Sequence, residues 1–157
     1  MGTRSRIGIV YGFENELKVK SIYCHWDGYL EHNGALLMKY YNNYGRTEEL
    51  INLGDISSLR PKISTKEEHS FDKPQEDVTI AYHRDRGEEL HISEEYLPNF
   101  IENIVNSDIE YVYLRYRDEW LYATVDYDYI LNKYVLSAFR PLQYKIEALE
   151  KRGALCI

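Results

Sequence analysis

Residues 23 to 34 read YCHWDGYLEHNG, a crowd of ligand-type side chains within one short stretch. A structural zinc site needs four ligands, commonly paired as Cys-x-x-Cys or His-x3-His. Cys24 and His25 are adjacent instead, so on a strand they point to opposite faces and do not easily share one ion. His25, Asp27 and His32 have the residue types of a metal-binding triad; the alternative is a hydrogen-bonded histidine at a strand end. Cys24 lies in mid-strand with no helix N-terminus to lower its pKa, so it reads as a small buried residue rather than a nucleophile. A ligand loop uses more of the segment. Asp27 and Asn33 can hydrogen-bond a base or sugar edge, while Trp26 or Tyr29 can stack on a flat ring. Gly28 and Gly34 let backbone N–H groups approach, and Gly34 opens a helix. The competing reading is a capping turn with Asn33 as N-cap.

Two further clusters carry positive charge. In YHRDRGEE, residues 82 to 89, His83, Arg84 and Arg86 stand at a strand end, and two guanidiniums there can clamp a phosphate. The competing reading is a hairpin turn whose arginines and glutamates pair with each other. The His-Arg-Asp order matches a kinase catalytic loop, but Leu90 stands where that loop needs asparagine, which excludes a kinase. In TRSR, residues 3 to 6, Arg4 and Arg6 alternate and so face the same side of a strand. No phosphate loop, dinucleotide fingerprint, nucleophile elbow or EF-hand is present, and no cofactor is expected.

The elements that must position these groups follow from periodicity. Alternation over 3–12 and 17–26, with a turn at 13–16, predicts a β-hairpin. A loop is expected over 27–34, a helix over 35–44 stopped by Gly45, and a second helix over 47–53 capped by Thr47 and ended by Gly54. The polar stretch 57–77 reads as a long loop. Residues 78–83 form a strand, 85–87 turn it, and 89–92 pair back. Ser93 caps a helix over 94–105 that Pro98 delays or bends. A second hairpin spans 109–116 and 120–127, residues 134–139 stay ambiguous, and Pro141 opens a terminal helix with Leu142, Ile146 and Leu149 on one face. Hairpins with interspersed helices predict a single α+β domain over 1–157, mainly antiparallel, with about three helices mostly on one face.

Composition bounds the partners. The 157 residues suit one domain, and 44% hydrophobic with 29% charged residues marks a globular chain. A formal net charge of −7 disfavours direct binding to duplex nucleic acid or an anionic membrane. Acidic DNA mimicry needs a contiguous carboxylate row, whereas 19 Lys and Arg are interspersed here. There are 16 tyrosines against 4 phenylalanines, which fits aromatic strand faces or a tyrosine-lined interface. A homo-oligomer, a dimer burying tyrosines from 111–129, is expected. Two cysteines, no apolar run of membrane length and no secretory leader predict a cytosolic protein with free thiols.

The ordered string GTRS at 2–5, YCHWDGY…HNG at 23–34, LGDISSL at 53–59, FDKPQ at 71–75 and YHRDRGE at 82–88 resembles a family of small tailed-bacteriophage proteins. The likeness covers roughly the first ninety residues and carries no activity onto individual positions. It implies a phage accessory protein acting in the cytoplasm of the infected bacterial host, and such proteins commonly antagonise antiviral defence. Three mechanisms are then open. A binding module would sequester a nucleotide-like immune signal, with Arg4, Arg6, Arg84 and Arg86 on phosphate and Trp26, Asp27 and Asn33 on base or ribose. An interaction protein would inhibit a host defence enzyme directly. A metal-dependent phosphodiesterase would use His25, Asp27, His32 and His83, but no general base has an evident activator.

Overall fold

A computed structural model of the protein describes residues 2–157. One nine-stranded sheet organises the chain. Strands β1 (Ser5–Tyr11) and β2 (Lys18–Cys24) form the first hairpin, with Ile7 opposite Ile22 and Arg6 opposite Tyr23. Strand β6 (Tyr111–Tyr116) lies parallel to β1 and antiparallel to β7 (Glu119–Asp128), the second hairpin. Four short strands extend this centre: β3 (Ile56–Ser58), β4 (Ile80–Ala81), β5 (Ser93–Tyr96) and β8 (Lys133–Leu136). The order is β4-β3-β2-β1-β6-β7-β8, with β5 also paired to β2 and β9 (Arg140–Pro141) to β7. The fold is α+β and mostly antiparallel.

Strand alternation divides the core in two. Ile7, Ile9, Ile22, Cys24, Tyr113, Trp120 and Tyr122 project to one face. Helices α1 (Ala35–Tyr40), α2 (Tyr44–Ile51) and α5 (Leu142–Lys151) cover them with Leu36, Leu37, Leu50, Ile51, Leu142 and Ile146. Val10, Val19, Val112 and Leu114 project to the other face, where α4 (Leu97–Val105) seats Phe100 and Ile104. Most helices therefore share one face. Burying each such side chain contributes about 1.5–3 kcal/mol, so both faces are fixed mainly by apolar area. Because α4 covers only part of its face, polar residues at one end of β1 and β2 stay within reach of solvent.

Several element boundaries differ from the sequence expectation, each for a local reason. The single helix over 35–44 is two, broken at Tyr41–Asn43; the Asn43 side chain accepts from Arg46 N at 2.8 Å and caps α2. Thr47, expected as the cap, is buried and donates to Tyr41 O at 3.0 Å, and Gly45 lies inside the first turn of α2. The loop over 27–34 ends in a π-helical turn, Leu30–Gly34. Of the strand expected over 78–83 only Ile80–Ala81 forms, because Tyr82–Arg86 coils into a short helix, α3, stopped by Gly87 at φ +75°. Residues 89–92 do not pair back as a strand. The helix expected from Glu94 starts at Leu97, with Pro98 in its first turn, where a missing N–H costs nothing. Ser93–Tyr96 instead satisfies the edge of β2 as β5, with Ser21 opposite Ser93.

Candidate functional site

The β1–β2 register builds a polar cluster on the side of the sheet that carries α4. Ser21 and Tyr23 lie two residues apart on β2 and share that face, and His25 follows just beyond the strand end. The Nε of Arg4 donates to the Tyr23 hydroxyl at 3.1 Å, and the same hydroxyl lies 2.7 Å from Nδ1 of His25. A phenol has one proton and two lone pairs, so it can accept from Arg4 while donating to an unprotonated Nδ1. That tautomer leaves the histidine's other N–H free to meet a ligand. Burial raises the Tyr23 pKa, and the Arg4 guanidinium opposes that rise.

Arg6, opposite Tyr23, donates from Nε to Ser21 Oγ at 3.0 Å and from Nη2 to Ser21 O at 3.3 Å. Burial lowers its pKa, against which Asp55 and Glu95 act from a distance. Asp55 fills the gap on β2 between β3 and β5, where its Oδ1 accepts from Tyr23 N at 2.8 Å and its Oδ2 lies 3.0 Å from His91 Nδ1. Among the described residues no carboxylate approaches either the Arg4 or the Arg6 guanidinium within 4.0 Å. In a chain of net charge −7, two adjacent guanidiniums without an ion pair form a local anion-attracting surface. Trp26 is 42% exposed and meets His25 edge to face at 4.7 Å.

The other residues of the 23–34 loop serve different ends. Asn33 is wholly buried, and its Nδ2 donates to Ser5 Oγ, Cys24 Sγ and Trp26 O, each at 3.3 Å. Asn33 therefore ties the loop to the sheet. Its Oδ1 lies 2.8 Å from Nδ1 of His32, which turns away from His25 into a cleft of about 640 Å³ with Arg60 and Cys156. Asp27 takes a left-handed φ of +57°, and its carboxylate accepts from the Tyr29 hydroxyl at 3.3 Å. His25, Asp27 and His32 thus have three separate partners. Among the described residues no group of three or more His, Cys, Asp or Glu side chains is placed to hold a metal ion.

The HRDR segment is mostly a lock on the long 57–77 loop. Arg84 donates to Ile63 O, to Thr79 O at 2.7 Å and to Asp85 Oδ1 at 2.8 Å. Asp85, its side chain 3% exposed, also accepts from Ala81 N at 2.8 Å and pairs with His69 at 3.2 Å. His83 lies 2.7 Å from Glu88 O. Arg86 pairs with Glu88 and packs over the rings of Phe71 and Tyr82, at 4.2 and 5.0 Å. Burial raises the Tyr82 pKa. The structure thus joins Arg4 and His25 through the Tyr23 hydroxyl, sets Arg6 opposite Tyr23 and Trp26 against His25, commits Arg86 to Glu88, Phe71 and Tyr82, and gives Asn33 and Arg84 to structural work. Sequence reading missed Tyr23, Ser21, Asp55 and Tyr82. Alternation along β2 carried the signal for Ser21, Tyr23 and His25; Asp55 and Tyr82 left none.

Fold and site together define an α+β protein with a partly shielded arginine–tyrosine–histidine surface on one sheet face. Comparison with protein-family models, curated proteins and solved structures found no match.

Proposed function

We propose that the protein binds a nucleotide-derived anion on the Arg4–Arg6–Tyr23–His25 surface and withholds it unchanged, as a phage accessory protein that blunts a signal of host antiviral defence in the infected bacterial cytoplasm. One observation carries the reading: two guanidiniums without carboxylate partners share one strand face, Arg4 on the Tyr23 hydroxyl and Arg6 on Ser21, and the same hydroxyl meets His25, against which the exposed Trp26 packs. Arginines meet phosphate oxygens with paired N–H donors, and Trp26 offers a stacking face for a base. The phage context rests on the sequence resemblance alone. The test is incubation with cyclic and linear nucleotides, with and without chelator, followed by denaturation and analysis of the released ligand. Saturating ligand at a hundred times its dissociation constant adds about 2.7 kcal/mol of stability. Intact nucleotide on release supports sequestration. Chelator-sensitive conversion to a new species replaces it with a phosphodiesterase.

A second reading rests on a different surface. The β7–β8 hairpin exposes Tyr127, Tyr129, Ile130, Leu131 and Tyr134, with Ile130 at 95%. Tyr129 and Tyr134 both pack edge-on against Tyr127, at 4.9 and 5.1 Å. Tyrosine-rich apolar surface of this kind suits a protein partner, either a host defence enzyme inhibited directly or a second copy in a homodimer.

A further inference from the structure

Strand β8 forms one end of the sheet, and its outer edge is open. Two backbone hydrogen bonds fix which way its peptide groups point. Ser137 N donates to Thr124 O at 2.9 Å across the β7–β8 ladder, whereas Val125 N donates in the other direction, to Glu110 O at 2.9 Å. Backbone direction alternates residue by residue in an antiparallel ladder. Lys133 and Val135 therefore aim their N–H and C=O groups at β7, while Tyr134 and Leu136 aim theirs outward. Among the described residues nothing pairs with those outward groups. A free edge is normally blunted by a proline, a bulge or an inward charge, and Tyr134–Leu136 has none of these. The hairpin turn is pinned by Asp128, whose Oδ1 accepts from Ile130 N at 2.9 Å and from Leu131 N at 3.0 Å, so the edge is presented ready-made.

We infer that two copies of the protein form a two-fold dimer by pairing their β8 edges antiparallel, with Val135 of one copy opposite Val135 of the other. The inference rests on the reading of the β7–β8 hairpin as a protein-binding surface, and it commits that surface to a second copy in one register. The strand's own sequence argues for this occupant. With Val135 on the axis, Tyr134 of each copy meets Leu136 of the other, so every outward N–H and C=O finds its complement. The neighbouring registers fail. Tyr134 opposite its counterpart would call on Asn132, whose φ of +55° takes it out of the strand, and Leu136 opposite its counterpart would call on Ala138, beyond the strand end. The side chains match as well. Tyr134, 58% exposed, covers Leu136 of the second copy on the α4 side, and the two Val135 side chains cover each other on the opposite side. Lys133, the one charge on β8, falls opposite Ser137, so no like charges meet.

A non-hydrogen-bonded antiparallel pair brings its Cα atoms to about 4.5 Å, within the range a disulfide spans. Val135→Cys is therefore made in the full-length Cys156→Ser protein and oxidised mildly at tens of micromolar, with Lys133→Cys as the control. Rapid cross-linking to a covalent dimer is expected at position 135 and not at 133, which lies away from the axis. Val135→Lys gives a second readout. Within one chain the lysine stands opposite Asp126, so the hairpin gains a partner, whereas across the axis two lysines face each other. Light scattering over a dilution series should show the dimer weakened at least about tenfold, with an unchanged circular-dichroism spectrum. A dimer that fails to cross-link at 135, or that keeps its affinity in the folded Val135→Lys protein, would overturn the edge pairing and leave the tyrosine surface to dimerise in another arrangement. A wild type that stays monomeric throughout would overturn the dimer itself and leave the surface to a different protein. Nucleotide binding at Arg4 and Arg6 is untouched by either result.

Discussion

The hydroxyl of Tyr23 and Nδ1 of His25 stand 2.7 Å apart, with Arg4 closing the other side of the hydroxyl at 3.1 Å. This contact makes the tyrosine the hinge of the candidate site. Tyr23→Phe deletes only the shared oxygen and keeps the ring that packs against the α4 cluster. Stability should fall by about 1–3 kcal/mol, the net value of two hydrogen bonds. Nucleotide affinity should fall about tenfold as Arg4 and His25 lose their common anchor. Calorimetric titration of both proteins with the same nucleotide reads the ratio. An unchanged affinity would place the ligand elsewhere.

Asp85 should make the 57–77 loop acid-sensitive. Burial pushes its carboxyl up, but Arg84, the Ala81 N–H and His69 together outweigh that and leave the folded pKa lowered. A lowered folded pKa means stability that is complete above the unfolded value of about 3.9 and is lost as pH falls through the folded one. Asp85→Asn should cost about 3 kcal/mol at neutral pH, since it leaves Arg84 and His69 without their charged partner. It should also flatten the acid limb of the stability curve. Urea unfolding between pH 3 and 7 measures both.

The thiols should behave as two separate classes. Cys24 is buried and Cys156 exposed, neither in a disulfide, and burial pushes the Cys24 thiol up to about 11. At pH 8 one thiol should react quickly with a disulfide reagent and the second only after denaturation. Two fast thiols would show that the 23–34 loop opens readily.

The exposed β7–β8 hairpin predicts self-association. Light scattering at tens of micromolar should give a dimer mass, and replacing Tyr129, Ile130 and Tyr134 by Ser should return a monomer with an unchanged circular-dichroism spectrum. A monomeric wild type leaves that surface for a different protein.

Local pattern alone determined much of this protein. Alternation marked β1, β2, β6 and β7, because a strand with one buried face must repeat every second residue, and Leu142, Ile146 and Leu149 marked α5 by the helical period. Arg4, Arg6, His25 and Trp26 stood out by type. Their common centre did not, because Tyr23 is one tyrosine among 16 until the register sets it opposite Arg6. Ser93–Tyr96 has the polarity of a helix start, yet the unpaired edge of β2 drew it into the sheet, since backbone hydrogen bonds left open there outweigh a weak local preference. The tertiary structure alone separated Arg84, spent on loop carbonyls, from Arg4 and Arg6, which carry the same charge but meet no carboxylate. Partner choice depends on residues distant in the chain, and no local spacing encodes it.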